Sequence, residues 1–284
     1  MFQILENLYK KSKINVGSLP FIGVHLVCFA AFWLGVDWTA FWMCIGLFLV
    51  RKFGITGGYH RYFSHRSYKT SRWFQFVLAV LGGMATQRGA IWWAAHHRHH
   101  HKYSDTANDI HSAKEQGFYW SHVGWVMCRD YDEFDERTVK DLTKYPELVW
   151  LHNWHVVPGV ALAVTCFLVH GWIGLVWGYF ISTVILYHTT FAINSLCHVF
   201  GTQRYDTGEE SKNCWWLAIL TLGEGWHNNH HHYQLSCRQG FFWWEVDITY
   251  YVLVALSWVG VVWDLKQPPQ RLLKPEAFTA IKVS

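Results

Sequence analysis

Trp38-Thr-Ala-Phe-Trp-Met-Cys-Ile-Gly-Leu-Phe-Leu-Val-Arg51-Lys52-Phe-Gly-Ile-Thr-Gly-Gly-Tyr-His60-Arg-Tyr-Phe-Ser-His65 carries an apolar stretch straight into a pair of histidines. A bilayer-crossing helix needs about 20 mostly apolar residues, and residues 38–57 meet that need before a glycine-rich exit. Residues 17–35, with Pro20 near their start and His25 within them, form a second such stretch. Only Val36-Asp37 separates the two, so they read as a hairpin. Lys10, Lys11 and Lys13 precede it, Arg51, Lys52, Arg61 and Arg66 follow, and its turn has no basic residue. The excess of Lys and Arg on the cytoplasmic side of membrane proteins then predicts that both ends of the hairpin are cytoplasmic.

Working outward, residues 155–173 and 174–195 form a second hairpin, turning near His170-Gly171-Trp172 without basic residues. The sequence therefore predicts an all-α integral membrane protein with four transmembrane helices in two hairpins. Residues 58–150 and 196–266 build a cytoplasmic helical cap, and 1–284 form one membrane-bound domain. Residues 73–93 and 248–263 are apolar too, but an even number of spans keeps the histidines on one side, so both are placed at the interface. Composition agrees: 51% hydrophobic, 18% aromatic and 15% charged residues, against about 25% charged in ordinary soluble domains. A net charge of +4 without a basic run argues against a nucleic-acid partner. Seven separated cysteines with no Cys-x-x-Cys pair exclude a disulfide framework or zinc ribbon and suit a reducing compartment.

Histidine is the dominant chemical signal, with 19 copies. Beside His60 and His65 stand His97-Arg-His-His100-His101 and His227-Asn-Asn-His230-His231. Residues three or four apart share a helix face, so each triplet is expected to aim its imidazoles at one point. His60 and His65 are five apart, about 140° around an α-helix, and are expected to reach different sides of the site. A ninth imidazole, His198, follows Asn194 by four residues, and Asn194 is placed to hold a metal-bound water. So many imidazoles imply two metal ions. His-Glu-x-x-His is absent, which excludes the common zinc-protease arrangement. Iron with dioxygen suits a nitrogen-rich site beside lipid, and copper stays open. His25, His122, His152, His155 and His170 read singly as interfacial side chains. His188, inside the fourth span, is a functional candidate because intramembrane ionisable groups are costly.

These motifs resemble membrane fatty-acyl desaturases, closest to the Δ9 (stearoyl-CoA-type) branch and its bacterial members. Gly58-Tyr-His60-Arg-Tyr-Phe-Ser-His65 is similar to the first histidine box, and His97 to Asp105 with Asp109-Ile-His111 to the second. Gly223-Glu-Gly-Trp-His227-Asn-Asn-His230-His231 is similar to the third, and Asn194-Ser-Leu-Cys-His198 to the Asn-x-x-x-His element. The resemblance implies two Fe ions held by the nine histidines, with Asn194 acting through water, and O2 as co-substrate. It implies Gln87, Trp93 and Thr190 as residues shaping a bent acyl tunnel. His96, His99, Asp105, His111 and Glu224 would support the ligands from behind. The implied reaction is formation of a cis double bond, and the implied electron donor is a separate ferredoxin, cytochrome b5 or similar partner. Ala95 and His96 stand where acyl-CoA enzymes carry an Arg-Asp pair, and Arg88 replaces a polar residue near the tunnel mouth. The carrier could thus be acyl-CoA, acyl-lipid or acyl carrier protein. The implied location is a bacterial inner membrane, with termini and site cytoplasmic. Hydroxylation, acetylenic-bond formation or another double-bond position would use the same ligand set. A metal transporter is the remote alternative, for which the first two spans offer few polar residues.

Overall fold

The computed structural model describes residues 18–274 and the pair 282–283. Lys10, Lys11 and Lys13 lie outside the described residues. The first hairpin consists of α1 (Leu19–Leu34) and α2 (Trp38–Ser64). Gly35 turns the chain in the left-handed region at φ 69°. Asp37 caps α2 by accepting a 2.8 Å hydrogen bond from the Ala40 N–H, satisfying a donor that the helix start leaves open.

The apolar run Val157–His198 also folds back on itself. Its backbone leaves the helical region at His170 (φ −147°) and Gly171 (φ 58°), where the sequence placed the turn, giving α6 (157–169) and α7 (172–198), so that the second span begins slightly before residue 174. The two hairpin turns are neighbours. His170 Nε2 lies 2.7 Å from Asp37 Oδ2, and Trp177 Nε1 donates to the Gly35 carbonyl at 2.8 Å. Among the described residues, Trp38–Ser64 and Val157–His198 are the helical runs long and apolar enough to cross a membrane. Phe32, Trp33 and Leu168 are more than three-quarters exposed on their outer faces, a surface suited to lipid and costly in water.

Three of the basic residues after the first hairpin turn inward: Arg51, Lys52 and Arg61 are buried. They cannot serve as the surface charges that orient a hairpin, and Arg66 alone of the four is exposed. The inward turn follows from local packing. The second half of α2, Gly54–Ser64, winds as a π-helix with every residue but Tyr62 buried. Helix α3 (Arg72–Gly83) crosses so closely that a Cβ on Gly54 would sit 2.5 Å from the Leu81 carbonyl carbon. Helix α4 (Ala90–Tyr103) lies beside them, and α5 (Pro146–Asn153) covers α3 and α4. The common core includes Ile55, Tyr59, Phe63, Leu78, Ile91 and Leu186.

The returning chain adds α8 (Trp215–Leu220), α9 (His227–His232) and α10 (Ile248–Trp258). An antiparallel pairing of Lys69–Thr70 with Val262–Trp263 ties it to the turn after α2. At 12 and 11 residues, α3 and α10 reach about 18 Å at 1.5 Å per residue, short of the roughly 30 Å hydrocarbon core.

Candidate metal centre

The π-helix decides where the first two histidines point. In a π-helix the hydrogen bond spans five residues, and the His65 N–H accordingly bonds the His60 carbonyl at 3.2 Å. Five residues therefore make about one turn, and the two rings meet edge to face on one side with centroids 4.9 Å apart. The expectation that they reach different sides assumed α-helical geometry and does not hold.

The two triplets divide instead of converging. On α4 and α9 residues advance about 100° each, so i and i+4 differ by about 40° and i and i+3 by about 60° in the other sense. His97 and His101 stay together while His100 turns away; His227 and His231 stay together while His230 turns away. Two groups result: His60, His65, His97, His101 and His230 in one, and His100, His198, His227 and His231 in the other. Within each, the candidate ligand nitrogens all lie within 4.8 Å of one another.

Carboxylates behind the rings set their tautomers. His60 Nδ1 pairs with Glu224, which also takes Arg61 Nη2 at 2.9 Å. His100 Nδ1 meets Asp109 at 3.0 Å, and His198 Nδ1 meets Asp105 at 2.8 Å. Glu209 lies 3.6 Å from His231 Nδ1. An ionised carboxylate only accepts, so the facing Nδ1 carries the proton and Nε2 turns a lone pair inward. Burial would raise the Glu224 carboxyl, but its pairing with His60 and Arg61 outweighs that and holds it at about 2. Burial first, then mutual repulsion, pushes His65, His97, His101, His227, His230 and His231 well below the ordinary imidazole value. They stand neutral, the form that binds metal.

The fit to a metal is tested by what these lone pairs meet. His100 Nε2 and His231 Nε2 are buried without any hydrogen-bond partner. In the other group, His230 Nε2 faces His60 Nε2 at 3.0 Å and His101 Nε2 at 2.9 Å. Orphaned or mutually facing buried acceptors cost free energy, and a cation resolves both. The residues fit a metal site. Glu224 stands three residues before the ligand His227 but is itself taken up by His60 and Arg61.

A cavity of about 500 Å³ leads to this centre. Gln87, Trp93 and Thr190 line it together with His97, Asn194 and Phe21 of α1. Trp93 stacks on His97 with ring centroids 4.9 Å apart. Asn194 also faces a smaller chamber touching His60, His97, His100 and His227. His111 packs 4.3 Å from the His100 ring and 3.8 Å from Asp109. Two expected supports lie elsewhere. His96 stacks on Trp92 and lines the cavity, because residue 96 is a helical step off the 97/101 face. His99 points to the Asn108 carbonyl at 2.8 Å.

Sequence reasoning missed Glu209, which no motif marks, and gave Asp109 no role although it stands within the second box. It also missed a row that joins His25 and His122, read singly as interfacial, to the functional candidate His188. His25 Nε2 meets His188 Nε2 at 3.0 Å, His188 Nδ1 meets His122 Nε2 at 3.0 Å, and His122 Nδ1 meets Ser195 Oγ at 2.9 Å.

Comparison with known proteins agrees with this geometry. Residues 36–256 match the family model for fatty acid desaturase. The chain is 40% identical to the sn-1 stearoyl-lipid 9-desaturase of Anabaena variabilis, over 90% of this chain and 95% of that protein. It is 39% identical to the sn-1 stearoyl-lipid 9-desaturase of Synechocystis sp., over 90% and 81%. It is 38% identical to an acyl-CoA 5-desaturase of Anemone leveillei, over 87% and 78%. With both histidine groups inside the matched region, the chain belongs to the fatty acid desaturase family.

Proposed function

We propose that this protein introduces a cis double bond at Δ9 of a saturated acyl chain carried on a membrane glycerolipid. The observation that carries the reading is the cavity of about 500 Å³ running from membrane helices to His97 of the five-histidine group, beside which the second buried group lies. That volume suits a small-molecule or single-chain ligand. In balance, a –CH2–CH2– unit, O2, two electrons and two protons give –CH=CH– and two waters.

Two irons, one in each group, would supply the O2 activation. The five-histidine group uses His60, His65, His97, His101 and His230. The four-histidine group uses His100, His198, His227 and His231, with Asn194 acting through water. The chain's own residues hold the substrate. An alkyl chain has no polar handle at the reacting carbons, so position must come from the shape of the cavity. Trp93 stacked on His97 fixes one wall at the centre, and Thr190 on α7 and Gln87 after α3 form the others. Asp105, Asp109 and Glu224 keep the imidazoles turned so that their free nitrogens face inward.

The lipid-borne substrate is supported by two relatives named for stearoyl-lipid and by Ala95-His96 in place of an Arg-Asp pair. A relative named for acyl-CoA makes CoA the second reading. Four spans follow if α1, α2, α6 and α7 all cross, their turns at one face and the histidines at the other. Exposed Arg66, Lys69 and Arg72 at the histidine end, with no basic residue at the turns, support a cytoplasmic cap. Electrons would arrive from a separate ferredoxin or cytochrome b5-like protein.

The test is the lipid profile of a desaturase-deficient host expressing the chain or its His227→Ala variant. A cis-9 bond in intact glycerolipids, absent with the variant, is expected. A bond formed only in the acyl-CoA pool would favour the second reading.

A further inference from the structure

Lys52 occupies a place that neither the histidine motifs nor the acyl cavity explains. It is 1% exposed, on the turn of α2 just before the π-helix. Burying an ammonium is costly unless it is paired, and an ionisable group within a membrane helix marks function more often than packing. No described carboxylate stands within ion-pair distance of Lys52. Thr190 Oγ1, at 3.0 Å, is its one acceptor among the described residues, although an ammonium has three donors.

The side chain borders the chamber between the histidine groups. That chamber measures about 40 Å³, room for a water-sized or few-atom ligand. His60 and His97 of one group, His100 and His227 of the other, and Asn194 share its wall with Lys52. The one carboxylate on that wall, Glu224, is already engaged by His60 and by Arg61 at 2.9 Å. The rest of the wall comes from the hydroxyl-bearing Thr56 and Thr190 and from Ile55, Trp93 and Ile193.

We propose that the chamber is a binding site for a small anion lying between the two histidine groups, with Lys52 as its ammonium donor and Asn194 as a neutral one. The class of ligand is a hydroxide-sized or linear few-atom anion, the form that reduced dioxygen or its water product takes when it loses a proton. Thr190 then has two tasks, shaping the acyl cavity and holding Lys52 toward the chamber through its hydroxyl. The site rests on the reading of the histidine groups as an iron centre.

Azide is the probe. It is titrated into the iron-loaded, detergent-solubilised enzyme and followed by its charge-transfer absorption, with iron per chain measured on the same samples. The native enzyme is expected to bind azide, and Lys52→Met to bind it about tenfold or more weakly, as loss of a charged hydrogen bond implies. Iron content and Tm should hold in that variant, since replacing a buried charge by an apolar side chain of similar length is tolerated. Lys52→Gln, which keeps an N–H donor without the charge, should fall between the two. Equal azide affinity in native and Lys52→Met enzyme would overturn the site, as would loss of iron from both variants, which would make Lys52 a structural support. Native protein that holds no iron at all would instead overturn the metal reading on which the site depends.

Discussion

The two histidine groups are built differently although both draw on α4 and α9. The five-histidine group draws on α2, α4 and α9, and its one carboxylate support is Glu224, anchored by Arg61. The four-histidine group has fewer imidazoles but leans on Asp105, Asp109 and Glu209, which reach it from loops after α4 and before α8. One group is rich in ligands with a single carboxylate behind it; the other is poorer in ligands with three, among the described residues. The difference teaches that helical spacing supplies the ligands, whereas loop acids hold in place the group with fewer of them.

The largest expected effect comes from removing a ligand on either side. His230→Ala or His227→Ala should cut activity below about 1% of native, since loss of a mere supporting partner already costs 10–100-fold. A His230→Ala enzyme with native turnover would dissolve the five-histidine group. Next in size, Asp105→Asn and Asp109→Asn should lower activity about 10–100-fold and reduce iron chiefly in the four-histidine group. Glu224→Gln should cost less, because five imidazoles share its load. If Glu224→Gln proved the more damaging, the contrast between the groups would be reversed.

Protons give a smaller test. Burial, then neighbouring imidazoles, hold His97, His101, His230 and His231 well below their ordinary value, so the unfolded chain binds more protons below about pH 6.5. Stability of the iron-free protein should therefore be full above that pH and fall as the pH drops below it. A Tm independent of pH between about 7.5 and 5.5 would show that these imidazoles are not buried together. Smallest of all, Thr190→Val or Trp93→Phe should change chain-length preference or rate by a few-fold with iron retained. Iron loss there would place these residues in the metal centre and not in the cavity wall.

Much of this was legible from local chemistry. Apolar length marked both hairpins, and the spacing of His97, His100 and His101 marked a helix presenting ligands. What stayed hidden depends on helix type and on partners distant in sequence. The π-helical turn that brings His60 beside His65 requires Gly54 and Gly58 to pack against α3, a tertiary condition that no spacing rule contains. Arg51, Lys52 and Arg61 read as flanking surface charges because their acceptors, such as Thr183, Thr190 and Glu224, lie more than 130 residues away. The row His25, His188 and His122 likewise joins three segments that are separate in the chain.

Iron per chain in the fully active enzyme and in His198→Ala tests the division into two groups most directly. Two irons per active native chain are expected, with His198→Ala losing the one in the four-histidine group and keeping the other. Full activity with a single iron, or unchanged iron in His198→Ala, would contradict the account.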